Sequence, residues 1–297
     1  MPSNEQRRAA AKRKLERQLS HRAQRAQRRK QLTIAGSVLG VVVVVAAVTG
    51  VYFLTRGEDS NNSTAADAAL SDSAALSDSP APAAPPAAKA KPAKVDCVYH
   101  DGAKAASKQV AKPKGDGIPT TGVDAEVSVS METSQGPVGL TLNNAAAPCT
   151  VNSFVSLASQ NFFDGTACHR MTASTMLKVL QCGDPTGTGT GGPGYEFDNE
   201  YPTDQYAQDD PATSTPIAYK RGALAMANAG PGTNGSQFFI VYGDSQLPPR
   251  YTIFGTVDEN SLGTLDKIAQ IGQDDSNGPD DGKPKQPVTI QSVRIDR

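Results

Sequence analysis

The chain reads as a mainly β protein. It predicts a closed antiparallel eight-stranded barrel capped by two helices and preceded by one transmembrane helix and a disordered linker. Three observations lead there. From residue 124 onward, short apolar runs recur between Gly, Pro and Asp clusters; only two stretches in that region have helical spacing; and an uncharged apolar run, 32–54, lies near the start. Strands that outnumber helices this far favour a sheet closed on itself with helices at its ends.

The first segment, 1–31, is basic. Residues 1–30 hold eleven Lys and Arg against Glu5 and Glu16, a net of +9, so the rest of the chain carries −10 behind a whole-chain charge of −1. No aromatic residue interrupts this segment, which removes the stacking platform that single-stranded nucleic acid needs, and no nucleic-acid partner is expected. Residues 32–54 follow with no charge and with five consecutive valines, 41–45. At 1.5 Å per residue such a helix crosses a hydrocarbon core about 30 Å thick. The run is too long for the apolar part of a cleaved signal, so a retained anchor is expected. The basic side then stays in the cytoplasm and the C-terminal part lies outside the cell membrane.

Residues 55–96 are rich in Ala, Ser, Asp and Pro, with too few large apolar residues for a core, and are expected to form a disordered tether. Residues 97–123, with Pro113, Gly115, Gly117 and Pro119, form an extension ahead of the domain at 124–297. The domain opens as a hairpin: 127–130 alternates at period two, and Gly136-Pro137 precedes a second strand over 138–142. Val151, Phe154, Val155 and Ala158 then fall on one helical face, with Pro148 near the helix start. Strands are predicted at 168–171, 179–182, 222–226, 237–242 and 252–257. A second helix follows from Leu262, Leu265, Ile268 and Ile271, and 288–295 closes the chain as a strand.

Four cysteines, Cys97, Cys149, Cys168 and Cys182, fall in the part expected outside the membrane, where disulfides persist; three full pairings are open. Cys168-His169 with Cys182 lacks a C-x-x-C pair and a second histidine, so no metal is expected. The run 187–192 matches G-x-G-x-x-G by letter, but Pro193-Gly194 stands where a helix should open, so it reads as a loop. No G-x-S-x-G elbow accompanies His169, which reads as a packed strand residue rather than part of a hydrolase triad.

The most informative stretch is 224–240, where amides, glycines and adjacent aromatics interleave. Ala227, Asn228 and Ala229 offer main-chain donors and acceptors, and Gln237 and Phe239, two apart in a strand, share a face. This block, with 163–170, Gln181-Cys182-Gly183-Asp184, 187–197 and Phe254-Gly255, resembles the cyclophilins, the peptidyl-prolyl cis/trans isomerases, over roughly 126–297. The resemblance implies the barrel, isomerisation of X-Pro bonds without a cofactor, and proline-containing polypeptides as partners. It further implies that Arg170 donates to the prolyl nitrogen as the amide twists, that Gln181 orients Arg170 or the substrate carbonyl, and that Asn228 binds substrate through its main chain. Phe239, Leu247 and Tyr251 would line the proline seat, beside Ala227, Ala229 and Gln237.

Three positions depart from the family pattern. Gln246 stands where a tryptophan is usual, Tyr251 where a histidine is usual, and the stretch between Arg170 and Gln181 is about three residues longer, so either Met176 or Val179 is the missing pocket wall. With the anchor, the reading is an isomerase assisting extracytoplasmic folding; a proline-binding or holdase module with weak catalysis is the alternative.

Overall fold

The computed structural model describes residues 82–296. The basic segment 1–31, the apolar run 32–54 and the first part of the linker lie outside the described residues, and no helix among the described residues is long and apolar enough to cross a membrane.

Ten strands form one curled sheet: β1 Glu126–Thr133, β2 Gly136–Asn143, β3 Thr166–Ala167, β4 Arg170–Thr172, β5 Lys178–Cys182, β6 Ala223–Met226, β7 Phe238–Gly243, β8 Ile253–Val257, β9 Asp281–Gly282 and β10 Thr289–Ile295. Their spatial order is β9-β4-β5-β7-β6-β8-β2-β1-β10-β3 and every pairing is antiparallel. The expected closed barrel of eight is therefore corrected to ten strands whose terminal members, β9 and β3, do not pair with each other. One addition is β9, two residues paired with β4, and the other arises around the strand expected at 168–171, where 166–172 forms two short strands rather than one. The start of that segment pairs with β10 and its end with β5, so the chain breaks at Cys168-His169 and bridges the two margins of the sheet.

The opening hairpin forms as its alternation predicts: Val129, Met131, Val138, Leu140 and Leu142 point inward and are buried. Helix α1, Pro148–Ser159, lays Val151, Phe154, Leu157 and Ala158 into that core. The Phe154 ring stacks on Phe163 at 4.9 Å and meets Phe238 and Phe254 at 5.5 and 5.4 Å. No neighbouring side chain caps α1; the buried Glu200 does, accepting from the main-chain N–H groups of Cys149 and Thr150 at 3.1 and 2.8 Å. An anion suits the positive end of a helix. Helix α2, Leu262–Ile271, buries Leu265 and Ile268 and bonds the hairpin through Thr264 Oγ1 to the Pro137 carbonyl at 2.9 Å. Where β8 crosses β2, a Cβ on Gly255 would lie 2.7 Å from the Thr141 carbonyl oxygen, so only glycine allows that close approach.

Strands β6 and β7 are apolar on both faces because the sheet has two cores. Met171, Leu180, Ile240 and Leu224 fill the inside. Val179, Phe239, Val241, Ala225 and Ala223 form a smaller outer cluster under Ile217 and Tyr219. A short ladder, Ile217–Tyr219 against Ser245–Leu247, covers this outer face.

The extension is built into the domain. Disulfide Cys97–Cys149 ties it to the first turn of α1, and His100–Asp101 pairs with Tyr195–Glu196. The second disulfide is Cys168–Cys182. Residues 82–96, the end of the expected linker, also make contacts: Ala218 N–H donates to the Ala83 carbonyl, Tyr201 Oη to the Pro86 carbonyl, and Lys91 pairs with Asp204.

Candidate functional site

The outer face of β4, β5, β7, β6 and β8 carries one continuous row. Arg170 stands opposite Gln181, Gln181 opposite Phe239, Phe239 opposite Ala225, and Ala225 opposite Ile253. Directly opposed residues on antiparallel strands project from the same face, so the register sets a guanidinium, an amide and an aromatic ring side by side. Tyr251 meets the Phe239 ring edge-on at 5.8 Å, and Leu247 and Ala227 pack on the same cluster. Of the expected residues, Arg170, Gln181, Phe239, Leu247, Tyr251 and Ala227 lie on or against this face.

Arg170 is held from two sides. Its Nε donates to Asp281 Oδ1 at 2.9 Å, its Nη2 to Oδ2 at 2.6 Å, and its Nη1 to Gln181 Oε1 at 3.3 Å. One N–H on each η nitrogen stays free for a ligand, because a guanidinium has five donors in a fixed fork. The side chain keeps 37% of its exposure, so the cation is open to solvent rather than sealed in the core. Bonding to Asp281 pushes the Arg170 pKa up, and the same pairing holds the Asp281 carboxyl below the usual range against the opposing effect of burial. Asp281 was not among the expected residues. It opens β9 just after a turn, where its N–H donates to the Gly278 carbonyl, its own carbonyl accepts from Asn277 N–H, and its side chain accepts from Asn277 Nδ2 at 3.2 Å. It lies 111 positions from Arg170, and no local pattern signals the partnership.

The chain of amides continues. Gln181 Nε2 donates to Gln237 Oε1 at 2.9 Å, and Gln237 Nε2 to the Gly191 carbonyl at 2.9 Å. Gly191 belongs to the 187–192 loop, wound around the buried Asp184, whose carboxylate accepts from the N–H groups of Thr186, Thr188, Thr190 and Gly191. Burial raises the Asp184 pKa, but the main-chain donors outweigh it and hold the group below its ordinary value. The loop thus fixes an amide acceptor rather than a phosphate cradle. His169 packs beside it, and burial lowers its pKa.

Asn228 is fixed by its side chain, with Nδ2 donating to the Arg250 carbonyl at 2.9 Å. Among the described residues its main-chain N–H and carbonyl carry no hydrogen bond, which leaves both for an extended peptide. Ala229 N–H is occupied by Thr233 Oγ1 at 2.8 Å, so Ala229 contributes surface rather than a donor. Of the two residues considered for the altered wall, Val179 packs in the outer cluster with Phe239, while Met176 stands 61% exposed on the loop before β5. Tyr219, missed in the sequence, packs against the seat with its ring 6.4 Å from Phe239 and its Oη donating to the Tyr251 carbonyl at 3.0 Å. Beyond Gln181 and Gln237 the groove opens into a cavity of about 470 Å³ that Ala227, Asn228 and Ala229 also line. No group of three or more His, Cys, Asp or Glu able to hold a metal exists among the described residues.

Residues 128–295 match the sequence profile described as "Cyclophilin type peptidyl-prolyl cis-trans isomerase/CLD". The chain is 54% identical over 302 residues to a "Probable peptidyl-prolyl cis-trans isomerase B" of Mycobacterium leprae, with all of both chains covered. It is 40% identical over 189 residues to a "Peptidyl-prolyl cis-trans isomerase A" of Mycobacterium tuberculosis, covering 58% of this chain and 93% of that one. Among solved structures, a Cryptosporidium parvum cyclophilin type peptidyl-prolyl cis-trans isomerase shares 30% identity at a TM-score of 0.46, covering 58% of this chain and 98% of its own.

Proposed function

The chain belongs to the family of cyclophilin-type peptidyl-prolyl cis-trans isomerases, and on that premise we propose how its groove turns a prolyl bond and where it does so. The enzyme acts on X-Pro bonds of polypeptides that fold outside the cell membrane, with Arg170 stabilising the amide midway through rotation.

The barrier arises from amide resonance, about 18–20 kcal/mol, and uncatalysed flips take tens to hundreds of seconds. Bringing them to milliseconds requires lowering it by roughly 5.5–7 kcal/mol, at 1.36 kcal/mol per decade. No covalent bond is made or broken. When the amide leaves planarity, the prolyl nitrogen lone pair ceases to be shared with the carbonyl and becomes an acceptor. A donor waiting there bonds the twisted state and not the planar one, which makes the interaction selective for the transition state.

A free η N–H of Arg170 is that donor, aimed by Asp281 and Gln181 and therefore needing little reorganisation. One charge-assisted bond contributes about 1.5–3 kcal/mol, less than the whole requirement. The remainder is assigned to the apolar seat of Phe239, Leu247 and Tyr251, which takes the ring and strips water from the planar amide, and to Asn228, whose main chain fixes the flanking backbone. The observation that carries this reading is the single row Arg170, Gln181, Phe239, which sets the cation beside the aromatic floor.

The location rests on the uncharged run 32–54 and its basic flank, and the two disulfides support it, since such bonds persist in oxidising compartments. Isomer exchange of a proline peptide, followed by NMR with the full-length chain, tests the catalytic reading. Wild type should accelerate exchange and Arg170→Ala should lose about tenfold or more of that acceleration; equal rates for the two would overturn it. Peptide binding without acceleration in wild type would point instead to a proline-binding module.

A further inference from the structure

We propose that the extension ahead of the domain is part of the substrate groove and that Lys104 selects for an acidic side chain two residues from the proline. The proposal rests on the isomerase reading of the groove. It concerns residues outside the 128–295 segment that matches the family profile.

The cavity beyond Gln181 and Gln237 has two walls of different origin. One is the sheet domain, with Ala227, Asn228 and Gly235; the other is 102–105 of the extension. That second wall is firmly seated. Gly102 N–H donates to the Gly194 carbonyl at 3.0 Å, Ser107 N–H to the Gly192 carbonyl at 2.8 Å, and Gly192 N–H to Ser107 Oγ at 3.0 Å. The strand pairing of His100 with Glu196 and the Cys97–Cys149 disulfide hold the approach to it.

The spacing fits a peptide. Gln237 lines the cavity and Phe239 floors the proline seat, and two residues along a strand span about 6.6 Å. An extended substrate rises by the same amount over two residues. With proline over Phe239, the side chain two positions away therefore reaches the cavity mouth.

Two charged residues line that cavity, Lys104 and Glu196. Lys104 is exposed, and among the described residues its ammonium bonds only the Thr190 carbonyl, at 3.1 Å, which leaves two N–H donors without a carboxylate partner. Thr190 adjoins Gly191, whose carbonyl receives Gln237, so the cation sits against the loop that borders the reacting row. Glu196 lies on the short strand that pairs with His100 of the extension. A substrate carboxylate that enters the cavity pairs with the free donors of that ammonium, which the Thr190 carbonyl holds at the loop wall.

The test measures kcat/KM for peptides carrying Glu, Ala or Lys two positions before or after a single proline, with the full-length chain. Wild type should favour the Glu peptide over the Lys peptide by about two- to fivefold on one side of the proline, the size an exposed ion pair supports. Lys104→Ala should bring that ratio to about one, and Lys104→Glu should invert it. A wild-type preference for Lys, or a Glu preference that survives both substitutions, overturns the proposal. Loss of turnover on every peptide in wild type would instead remove the isomerase reading itself.

Discussion

Removing the Asp281 carboxylate separates the aim of Arg170 from its presence. In the structure Asp281 holds Nε and Nη2 at 2.9 and 2.6 Å, while Gln181 alone holds Nη1 at 3.3 Å. An arginine side chain carries about 2 kcal/mol of rotamer entropy, and Asp281→Ala leaves only the longer of its restraints. Releasing roughly two thirds of that freedom, about 1.4 kcal/mol, lowers the population of the productive orientation tenfold. The stability cost is smaller. The pair is 37% and 27% exposed, so solvent screening limits it to about 0.2–1 kcal/mol. NMR exchange of a proline peptide should thus show kcat/KM down about tenfold in Asp281→Ala, with the denaturation midpoint only slightly moved. Asp281→Asn keeps an acceptor oxygen and should recover about a third of the rate. Activity within twofold of wild type in Asp281→Ala would refute the positioning argument.

Two further outcomes follow from the same geometry. The Asp281 pKa is depressed in the folded protein, chiefly by Arg170, so its contribution is complete above the unfolded carboxylate value of about 3.9 and lost as pH falls through the lower folded value. Exchange rates measured from pH 6 downward should hold to about pH 4 and fall below it, and Asp281→Asn should lack the part of that decline that Asp281 causes; Asp184, also depressed, adds an acid-side loss of stability with the same sign. Replacing Cys168 and Cys182 together by serine opens a loop of sequence separation 14, which costs about 3 kcal/mol on the chain-entropy account, and should lower the exchange rate as well because the bridge ties the residues just ahead of the Arg170 strand to the end of the Gln181 strand. Urea denaturation and peptide exchange on the same sample check both effects, and an unchanged midpoint would contradict the first.

What the sequence revealed was local. The alternation of 127–130, the helical spacing of Val151, Phe154 and Ala158, and the eleven-residue step from Arg170 to Gln181 all act within a few turns or one hairpin, and each appears in the fold. What it concealed depends on distant partners. Glu200 caps a helix some fifty positions earlier, Asp281 aims Arg170 from 111 positions away, and Lys104 reaches the groove through an extension fixed by a disulfide whose pairing four cysteines leave open. The count of eight strands failed for a related reason. The strand expected at 168–171 gives way to two short ones with different neighbours, a break at Cys168-His169 that is invisible to periodicity, and β9 is a two-residue pairing that no pattern announces. The second core on the outer face was legible only as unbroken apolar runs in β6 and β7, which by themselves do not say which side is the binding surface.

The central claim is that Arg170 bonds the twisted amide and not the resting one. The most direct measurement is the dissociation constant of a proline peptide taken beside its catalysed exchange rate, in wild type and in Arg170→Ala. The rate should fall by about ten- to 150-fold, the worth of one charge-assisted bond of about 1.5–3 kcal/mol, while the dissociation constant shifts by less than about threefold. Equal losses in binding and in rate would mean that the guanidinium holds the substrate rather than its transition state, and would contradict the account.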